Sequence, residues 1–242
     1  LMVLNDVTRI RQLENMKRDF VANVSHELRT PVTSIKGFAE TLKDGAARSP
    51  EDLERFLGII ARQADYLNTI INDILSLSRI EHDAERNSVE LAPVRLIGVL
   101  KDAIDVCSDR AMKKKMTIGI ECDSALSAMI NAPLLEQAVV NLIDNAVKYS
   151  EEGTAVAITG KTEKGWVVIA VRDQGPGIEK IHLPRIFERF YRADRSRSRD
   201  QGGSGIGLAI ARALVEAHGG RLWAESPGKN QGARFVCLLP AD

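Results

Sequence analysis

A histidine near the start of the chain, His26, has neighbours that form a reactive arrangement. In a helix, at about 100° per residue, His26 points away from an apolar stripe of residues spaced four apart. That stripe consists of Phe20, Val24 and Leu28. Glu27 flanks the histidine, and Thr30, one turn further on, shares its face. The spacing alone fits a surface histidine on an amphipathic helix better, but polar and glycine-rich motifs further along the chain reverse that preference.

Three polar residues downstream fall on one face of a predicted helix. Asn141, Asn145 and Lys148 are spaced at i, i+4 and i+7. A solvated face would be served better by Glu or Lys, because two asparagines weaken the middle of a helix. Amide oxygens beside a lysine suit a polyphosphate bound with Mg²⁺, since this ion takes oxygen ligands together with substrate phosphates.

Two glycine-containing stretches could also contact a nucleotide. Asp173 directly follows a buried strand, where its carboxylate could accept a hydrogen bond from an adenine amino group. Gly175 and Gly177 would let the backbone turn tightly there, although Gly-Pro-Gly is more often an ordinary turn. The second stretch, 202–208, opens a helix and offers free amides as an anion site. It is not a dinucleotide fingerprint, because no strand–helix–strand unit precedes it and its spacing differs.

An aromatic and basic segment lies between these two stretches. Residues 186–192 are followed by a loop that contains Arg195, Arg197 and Arg199. A flexible basic segment that touches nucleic acid is one interpretation. The loop is short and lies between two elements of the nucleotide site, which favours a lid over phosphates.

Two long helices are predicted to carry the first of these groups. The first, over 9–44, contains Pro31, which should kink it just after His26. The second, over 50–85, carries a heptad seam formed by Leu53, Leu57, Ile60, Ala64, Leu67, Ile71, Ile74 and Ser78. Strict heptads favour helix-on-helix packing, so we predict a homodimer that forms a four-helix bundle. Packing of the seam on the chain's own C-terminal half is the alternative.

After a polar linker at 86–93, the pattern changes to mixed helices and strands. Helices are predicted at 96–111, 131–149 with Asn131 as its cap, 183–190 and 205–218. Strands are predicted at 116–122, 127–130, 154–160, 166–173, 221–226 and 232–239. Because strands and helices do not alternate strictly, they predict an α+β sandwich with helices on one face of a mixed sheet.

The composition limits the class of protein. The chain has 242 residues, of which 44% are hydrophobic and 27% charged, so a packed core is expected. Its 33 basic and 33 acidic residues balance, which argues against a general binder of nucleic acid or membrane surfaces. The three widely spaced cysteines predict a reducing compartment. No apolar run approaches the roughly 20 residues of a spanning helix, and Leu1 in place of an initiator methionine predicts a fragment of a longer protein.

Five motifs together resemble those of the bacterial sensor histidine kinases of two-component systems, over about residues 9–240. The resemblances are Ser25 to Pro31 for the H box, Asn141 to Tyr149 for the N box, Asp173 to Ile178 for the G1 box, Phe187 to Tyr191 for the F box and Gly203 to Leu208 for the G2 box. Residues 6–8 resemble the end of an upstream PAS sensory domain, and 20–42 looks closest to the phosphate-regulon sensor group. Asn131 stands where the family usually has Asp, and both residues cap helices.

The resemblance implies a fold and an activity. A helical-hairpin dimerisation domain would precede a Bergerat-type ATP-binding domain. The domains would be the end of a PAS-like sensor at 1–8, a dimerisation and phosphotransfer domain at 9–85, the linker at 86–93 and the ATP-binding domain at 94–242. ATP would phosphorylate His26, which would pass the phosphoryl group to an aspartate of a response regulator. The fragment would be cytoplasmic, in a protein anchored in the bacterial membrane by segments outside this sequence.

The site residues of the family carry over to the matching positions. Glu27 would take the proton of His26 or orient its ring, and Thr30 would orient a water for phosphatase activity. Asn145 would hold Mg²⁺ with Asn141 close by, and Asp173 would select adenine. The other predicted ATP-binding residues are Lys148, Tyr149, Gly175, Gly177, Ile178, Arg192, Gly203, Gly205, Gly207 and Leu208.

The resemblance also implies a docking site for the response regulator, near Ser34, Ile35 and Phe38. The linker and Pro31 are the expected hinges, so that upstream signals would bias two states of the bundle. Two other classes of protein stay open at this point. One is an ATP-driven dimeric clamp of the Hsp90 or mismatch-repair type, and the other is a scaffold or nucleic-acid module with a vestigial pocket.

Overall fold

A computed structural model describes residues 8–45, 49–85, 89–193 and 203–241 of the chain. It consists of two compact units, Leu1–Asn72 and Asp73–Asp242, which we call the N-terminal and C-terminal units. Residues 1–7 of the predicted PAS-like end, and the part of the predicted arginine-containing loop at 194–202, lie outside the described residues. Within the described residues, none of the helices combines the length and the apolarity that crossing a membrane requires.

The N-terminal unit is a helical hairpin, as predicted. Helix α1 spans Thr8–Lys43 and continues through Pro31, and helix α2 spans Pro50–Glu85, so that its last turns belong to the C-terminal unit. Ser49 caps α2, because its hydroxyl accepts a hydrogen bond from the amide of Asp52 at 3.2 Å. Phe38 of α1 contacts Phe56 of α2, with ring centroids 5.5 Å apart.

Three helices and seven strands of the C-terminal unit are described. They are β1 (Ala92–Arg95), α3 (Leu96–Lys113), β2 (Thr117–Cys122), β3 (Ser127–Ile130), α4 (Ala132–Tyr149), β4 (Ala155–Glu163), β5 (Trp166–Arg172), α5 (Gly207–Ala217), β6 (Arg221–Glu225) and β7 (Arg234–Pro240). The main sheet has the order β2-β4-β5-β7-β6, in which only the β2–β4 pair is parallel, and β1 pairs with β3 in a separate ladder. A mixed sheet with helices on one face confirms the predicted sandwich.

Helix α4 lies at the centre of this unit and contacts both neighbouring helices. Its buried face consists of Leu135, Ala138, Val139, Leu142, Ile143, Ala146 and Val147. Burying a leucine side chain contributes about 1.5–3 kcal/mol, so this face holds the helix firmly on the sheet. The polar side chains of α4 are therefore fixed in position along its other face.

The N-terminus of α4 shows why asparagine can replace aspartate there. The side-chain oxygen of Asn131 accepts a hydrogen bond from the amide of Leu134 at 3.2 Å, as expected of a cap. The amide of Asn131 donates to Nε2 of the buried His218 at 3.1 Å, which fastens α4 to the end of α5. The predicted capping role of Asn131 is confirmed.

The helix predicted at 183–190 is wrong, because the segment forms consecutive turns. Arg185 and Glu188 donate their amides to carbonyls three residues back, at 2.9 and 2.8 Å. Pro184 has no amide to donate, and Phe190 has a φ of 64°, which an α-helix does not accommodate. The helical spacing of the apolar residues reflects burial of Ile186, Phe187 and Phe190 rather than a helix.

Candidate active site

The structure places His26 on the exposed surface of α1. Its neighbour Glu27 is half-buried, and one of its carboxylate oxygens accepts a hydrogen bond from the hydroxyl of Tyr66 on α2 at 3.2 Å. Thr30 is also exposed, and its hydroxyl donates to the carbonyl of His26 at 3.3 Å. The predicted group is thus accessible, and the tyrosine that orients the carboxylate was missed because it lies 39 residues away in sequence.

The polar face of α4 lies against the glycine-rich loop, which is the described part, 203–208, of the predicted stretch and leads into α5. The side-chain NH2 group of Asn141 donates a hydrogen bond to the carbonyl of Gln137 at 3.0 Å. The side-chain oxygen of Asn141 therefore points away from Gln137. A Cβ at Gly207 would lie 3.2 Å from this oxygen. A Cβ at Gly203 would lie 1.8 Å from Nζ of Lys148, so glycine allows the loop to approach the lysine closely.

Lys148 is a cation held in an unfavourable environment. Burial, reinforced by the nearby Arg192, lowers the pKa of Lys148 to about 8, and Asp144 opposes this shift. Its ammonium lies 5.0 Å from the centre of the Tyr149 ring. Lys148 and Arg192 are two positive charges that repel each other beside the glycine-rich loop. A bound anion would offset this repulsion.

Asp173 has one carboxylate oxygen fully engaged by the backbone. That oxygen accepts hydrogen bonds from the amides of Gly175 at 2.8 Å and Ala233 at 3.0 Å. Burial raises the pKa of Asp173, and these two hydrogen bonds oppose the shift. Asp173 is only 7% exposed, and no hydrogen bond from the described residues reaches its second carboxylate oxygen, which can therefore accept from a ligand.

The turn after Asp173 is supported by the loop between β6 and β7. Gly177 has a φ of 71°, and a Cβ there would lie 2.0 Å from the carbonyl oxygen of Gly228. The hydroxyl of Ser226 accepts from the amide of Ile178 at 2.9 Å and donates to the carbonyl of Gly232 at 2.7 Å. This supporting loop was not among the predicted site elements, although two glycines four residues apart between strands, Gly228 and Gly232, were a signal for it.

The aromatic segment and the glycine-rich loop are joined through their backbones. The amide of Phe190 donates to the carbonyl of Gly205 at 2.9 Å, and Gly205 has a φ of 74°. Tyr191 bonds to Nδ1 of His182 at 2.7 Å, which fixes the other side of the segment. Ile206 is fully buried, so the loop is anchored at its centre.

The last turns of α2 also contact this loop and the aromatic segment, within the C-terminal unit. Ser204 donates its hydroxyl to the carboxylate of Asp73, and Arg189 forms an ion pair with Glu81. Burial raises the pKa of Asp73. These acidic residues were not among the predicted site residues.

The predicted residues thus fall into two groups. The nucleotide-type residues of α4, the turn after β5, the aromatic segment and the glycine-rich loop come together in the C-terminal unit. His26, Glu27 and Thr30 lie in the N-terminal unit. Arg195, Arg197 and Arg199 lie outside the described residues.

Comparison with known proteins defines the class to which these two groups belong. Residues 16–83 match the His Kinase A (phospho-acceptor) domain, and residues 130–242 match the histidine kinase-, DNA gyrase B-, and HSP90-like ATPase family. A phospho-acceptor hairpin followed by an ATPase domain of this kind defines a histidine kinase.

Individual relatives narrow this class. The chain is 36% identical over 243 residues to the sensor histidine kinase WalK of Bacillus subtilis (strain 168), covering 99% of this chain and 39% of WalK. It is similar to the histidine kinase ThkA in complex with the response regulator TrrA, with a TM-score of 0.76, 25% identity and coverage of 98% of this chain and 65% of that one. It is also similar to full-length ShkA in complex with AMPPNP, with a TM-score of 0.65, 31% identity and coverage of 92% and 45%.

The chain therefore belongs to the sensor histidine kinases of two-component systems, as its five motifs predicted. It spans about two fifths of the length of the curated relatives it matches. Assignment to the phosphate-regulon group stays a prediction.

Proposed function

We propose that this chain transfers the γ-phosphoryl group of ATP to His26 and then to an aspartate of a response regulator. One observation carries the proposal: an exposed histidine beside an oriented carboxylate and a nucleotide-type site occur in the same chain. We propose the division into domains at 9–85 and 94–242, joined by the linker at 86–93. The fragment acts in the cytoplasm, within a longer protein that is anchored in the membrane and has a PAS-like sensor upstream.

The nucleotide is held at both of its ends by residues of the C-terminal unit. The free oxygen of Asp173 accepts a hydrogen bond from the adenine amino group. The turn formed by Gly175, Gly177 and Ile178 surrounds the base. The phosphates contact the remaining members of the site, which are Lys148, Tyr149, Arg192, Gly203, Gly205, Gly207 and Leu208.

The face of α4 also fits a magnesium ion. Asn145 and Asn141 offer amide oxygens beside the phosphate site, and hard cations such as Mg²⁺ prefer oxygen donors. Asn145 holds the ion, with Asn141 close by, and the ion supplies charge neutralisation to the phosphates.

The chemistry at the acceptor is a displacement at phosphorus. A neutral ring nitrogen of His26 forms the new N–P bond, while the bond between the γ-phosphorus and the bridging oxygen breaks and ADP leaves. Glu27 accepts or orients the proton on the other ring nitrogen, and the hydrogen bond from Tyr66 holds this carboxylate in place. Phosphoryl transfer depends mainly on positioning and charge, so His26 must be brought to the nucleotide.

The helical hairpin is proposed to dimerise through its heptad seam. Leu53, Leu57 and Ile71 are 45%, 51% and 41% exposed in a single chain, which leaves an apolar face for a second copy. ThkA was solved in complex with a response regulator. By analogy, a response regulator docks on this chain near Ser34, Ile35 and Phe38.

Transfer of labelled phosphate distinguishes this function from the alternatives. Incubation with γ-labelled ATP and Mg²⁺ is expected to leave acid-labile, alkali-stable label on the protein. An ATP-driven clamp would release phosphate and retain no such label. A scaffold with a vestigial pocket would not bind the nucleotide at all.

The state of Lys148 predicts a pH dependence of ATP binding. Its pKa is about 8 without ligand. Phosphate favours the charged form, so binding takes up a proton once the pH exceeds this value. We therefore expect the Kd for ATP to rise about tenfold between about pH 7.5 and pH 9. Calorimetric titration at each pH measures it.

The Lys148→Arg variant is the control for this dependence, because arginine stays charged throughout the range. Its Kd for ATP is expected to be nearly constant from about pH 7.5 to pH 9. A flat profile in the native chain would refute the predicted dependence, and an equally steep profile in the variant would show that another group causes it.

Thr30 is predicted to serve the phosphatase activity, which removes phosphate from the response regulator. Thr30→Ala removes an exposed hydroxyl one turn from His26, so we expect loss of phosphatase activity toward the phosphorylated response regulator, by about tenfold or more. Autophosphorylation should stay within about twofold. Thr41→Ala is the control, since Thr41 makes the same kind of bond to the carbonyl of Gly37 at 2.8 Å on the same helix. Loss of autophosphorylation with phosphatase activity retained would overturn the role of Thr30.

A further inference from the structure

Lys114, a lysine outside the predicted site, caps the C-terminal end of α4 with its side chain. Its ammonium donates hydrogen bonds to three backbone carbonyls, those of Val147 at 2.9 Å, Lys148 at 2.8 Å and Ser150 at 3.0 Å. An ammonium has three donors and no acceptor, so these three bonds use its full capacity. Lys114 is half-buried in the turn that follows α3.

The backbone of the same lysine holds the segment that follows. The carbonyl of Lys114 accepts from the amide of Gly153 at 3.0 Å. The amide of Ser150 donates to the carbonyl of Ala146 at 3.1 Å and completes the helix end. Residues 147–153 are therefore fixed from two sides by a single residue of another element.

This helix end forms part of the nucleotide site. It carries Lys148 and Tyr149, and it also contacts the turn after β5. The carbonyl oxygen of Tyr149 and the hydroxyl of Ser150 lie 3.3 and 3.5 Å from where a Cβ on Gly175 would be. That hydroxyl is buried without a hydrogen-bond partner among the described residues. A displacement of the helix end would therefore move a phosphate-binding cation and a wall of the base pocket together.

The charge of Lys114 matters as well as its geometry. The last carbonyls of a helix have no partners within the helix and carry a partial negative charge. An anionic nucleotide bound beside Lys148 would be repelled by this charge. The ammonium of Lys114 lies on these carbonyls and offsets it.

We propose that Lys114 is a positioning residue for the nucleotide, acting through the C-terminal end of α4. The inference rests on the proposed binding of ATP at this site. Lys114 touches neither the base nor the phosphates, and it fixes the elements that do. It thereby sets the affinity for the nucleotide, and it has no part in the transfer step.

The test compares Lys114→Met with the native chain by calorimetric titration with ADP and AMPPNP in the presence of Mg²⁺. We expect the Kd of both nucleotides to rise about tenfold and by the same factor, because the whole site shifts. The KM for ATP in autophosphorylation rises by a similar factor, while kcat at saturating ATP stays within about twofold. Lys114→Arg, which keeps the charge and donors, recovers most of the affinity.

Lys115→Met is the matched control, because it removes the same charge from the adjacent residue. Among the contacts described for it, the side chain of Lys115 forms only an exposed ion pair with Glu152 at 2.6 Å, and such pairs contribute little. Its nucleotide affinities are expected to equal those of the native chain within about twofold.

The outcomes separate this inference from the proposed function. If the native chain binds neither ADP nor AMPPNP, the proposed function itself is refuted. If the native chain binds the nucleotides and a folded Lys114→Met variant binds them with the same Kd, the role of Lys114 is refuted. This holds whatever the thermal stability of the variant. If that variant does not fold, Lys114→Gln, which keeps two N–H donors without the charge, is judged by the same criteria.

Discussion

The His26→Gln variant is expected to incorporate no phosphate from ATP while it binds the nucleotide as tightly as the native chain. A carboxamide offers no nucleophilic nitrogen, so the loss of labelling should exceed about a thousandfold. His26 is exposed on α1, and surface substitutions usually change stability by no more than about 0.5 kcal/mol. Labelling with γ-labelled ATP and titration with AMPPNP measure the two properties separately.

His82→Gln is the matched control for this variant. His82 is also an exposed helical histidine, on α2, so the same substitution is made in a similar environment. We expect full labelling of the His82 variant. A His26 variant that is still labelled would show that another residue is the acceptor.

Asp173→Asn is expected to weaken ATP binding by about 10- to 100-fold. The asparagine oxygen can still accept from the amides of Gly175 and Ala233, so the turn keeps both of its hydrogen bonds. The new amide group, however, replaces an acceptor with a donor opposite the adenine amino group. An unmatched polar pair of this kind costs roughly 1–3 kcal/mol.

Inosine triphosphate makes this prediction specific to the base. It has a carbonyl in place of the amino group, so the Asp173 variant should bind it better than the native chain does. Asp123→Asn is the control, because Asp123 makes a similar bond to the amide of Ala125 at 2.9 Å in an exposed turn. An equal loss for ATP and inosine triphosphate would mean that Asp173 only supports the fold.

The long helices could be predicted well because their signals are local. The uninterrupted heptads predict a helix over 50–85, and the structure has α2 over the same residues, Pro50–Glu85. Asn131 marks the start of α4, and a glycine with a φ of 79°, Gly165, marks the turn between β4 and β5. In each case the residue that decides the structure lies within a few positions of the element it affects.

The aromatic segment shows where local reasoning fails. Its apolar residues are spaced as in a helix, but their burial within the C-terminal unit and the positive φ of Phe190 override that pattern. The amide of Phe190 pairs with the carbonyl of Gly205 instead of with its own turn. Tertiary contacts decided the conformation here, and the spacing did not contain them.

The supporting residues of the site could not be predicted for the same reason. Tyr66 bonds to Glu27 from another helix, Lys114 bonds to carbonyls more than 30 residues away, and Ser204 bonds to Asp73 at a separation of 131 residues. A lysine, a tyrosine or an aspartate in a helix or turn is ordinary in a sequence. Only the fold shows which distant group it meets.

The most direct measurement of the central claim is to locate the phosphate after incubation with ATP and Mg²⁺. Tryptic digestion at alkaline pH, followed by mass spectrometry, would isolate residues 19–29, in which His26 is the only histidine. We predict a single phosphoryl group in this peptide, on the nitrogen of His26, that is lost in acid. Phosphate on another residue, or none on a folded chain with its nucleotide bound, would contradict the claim.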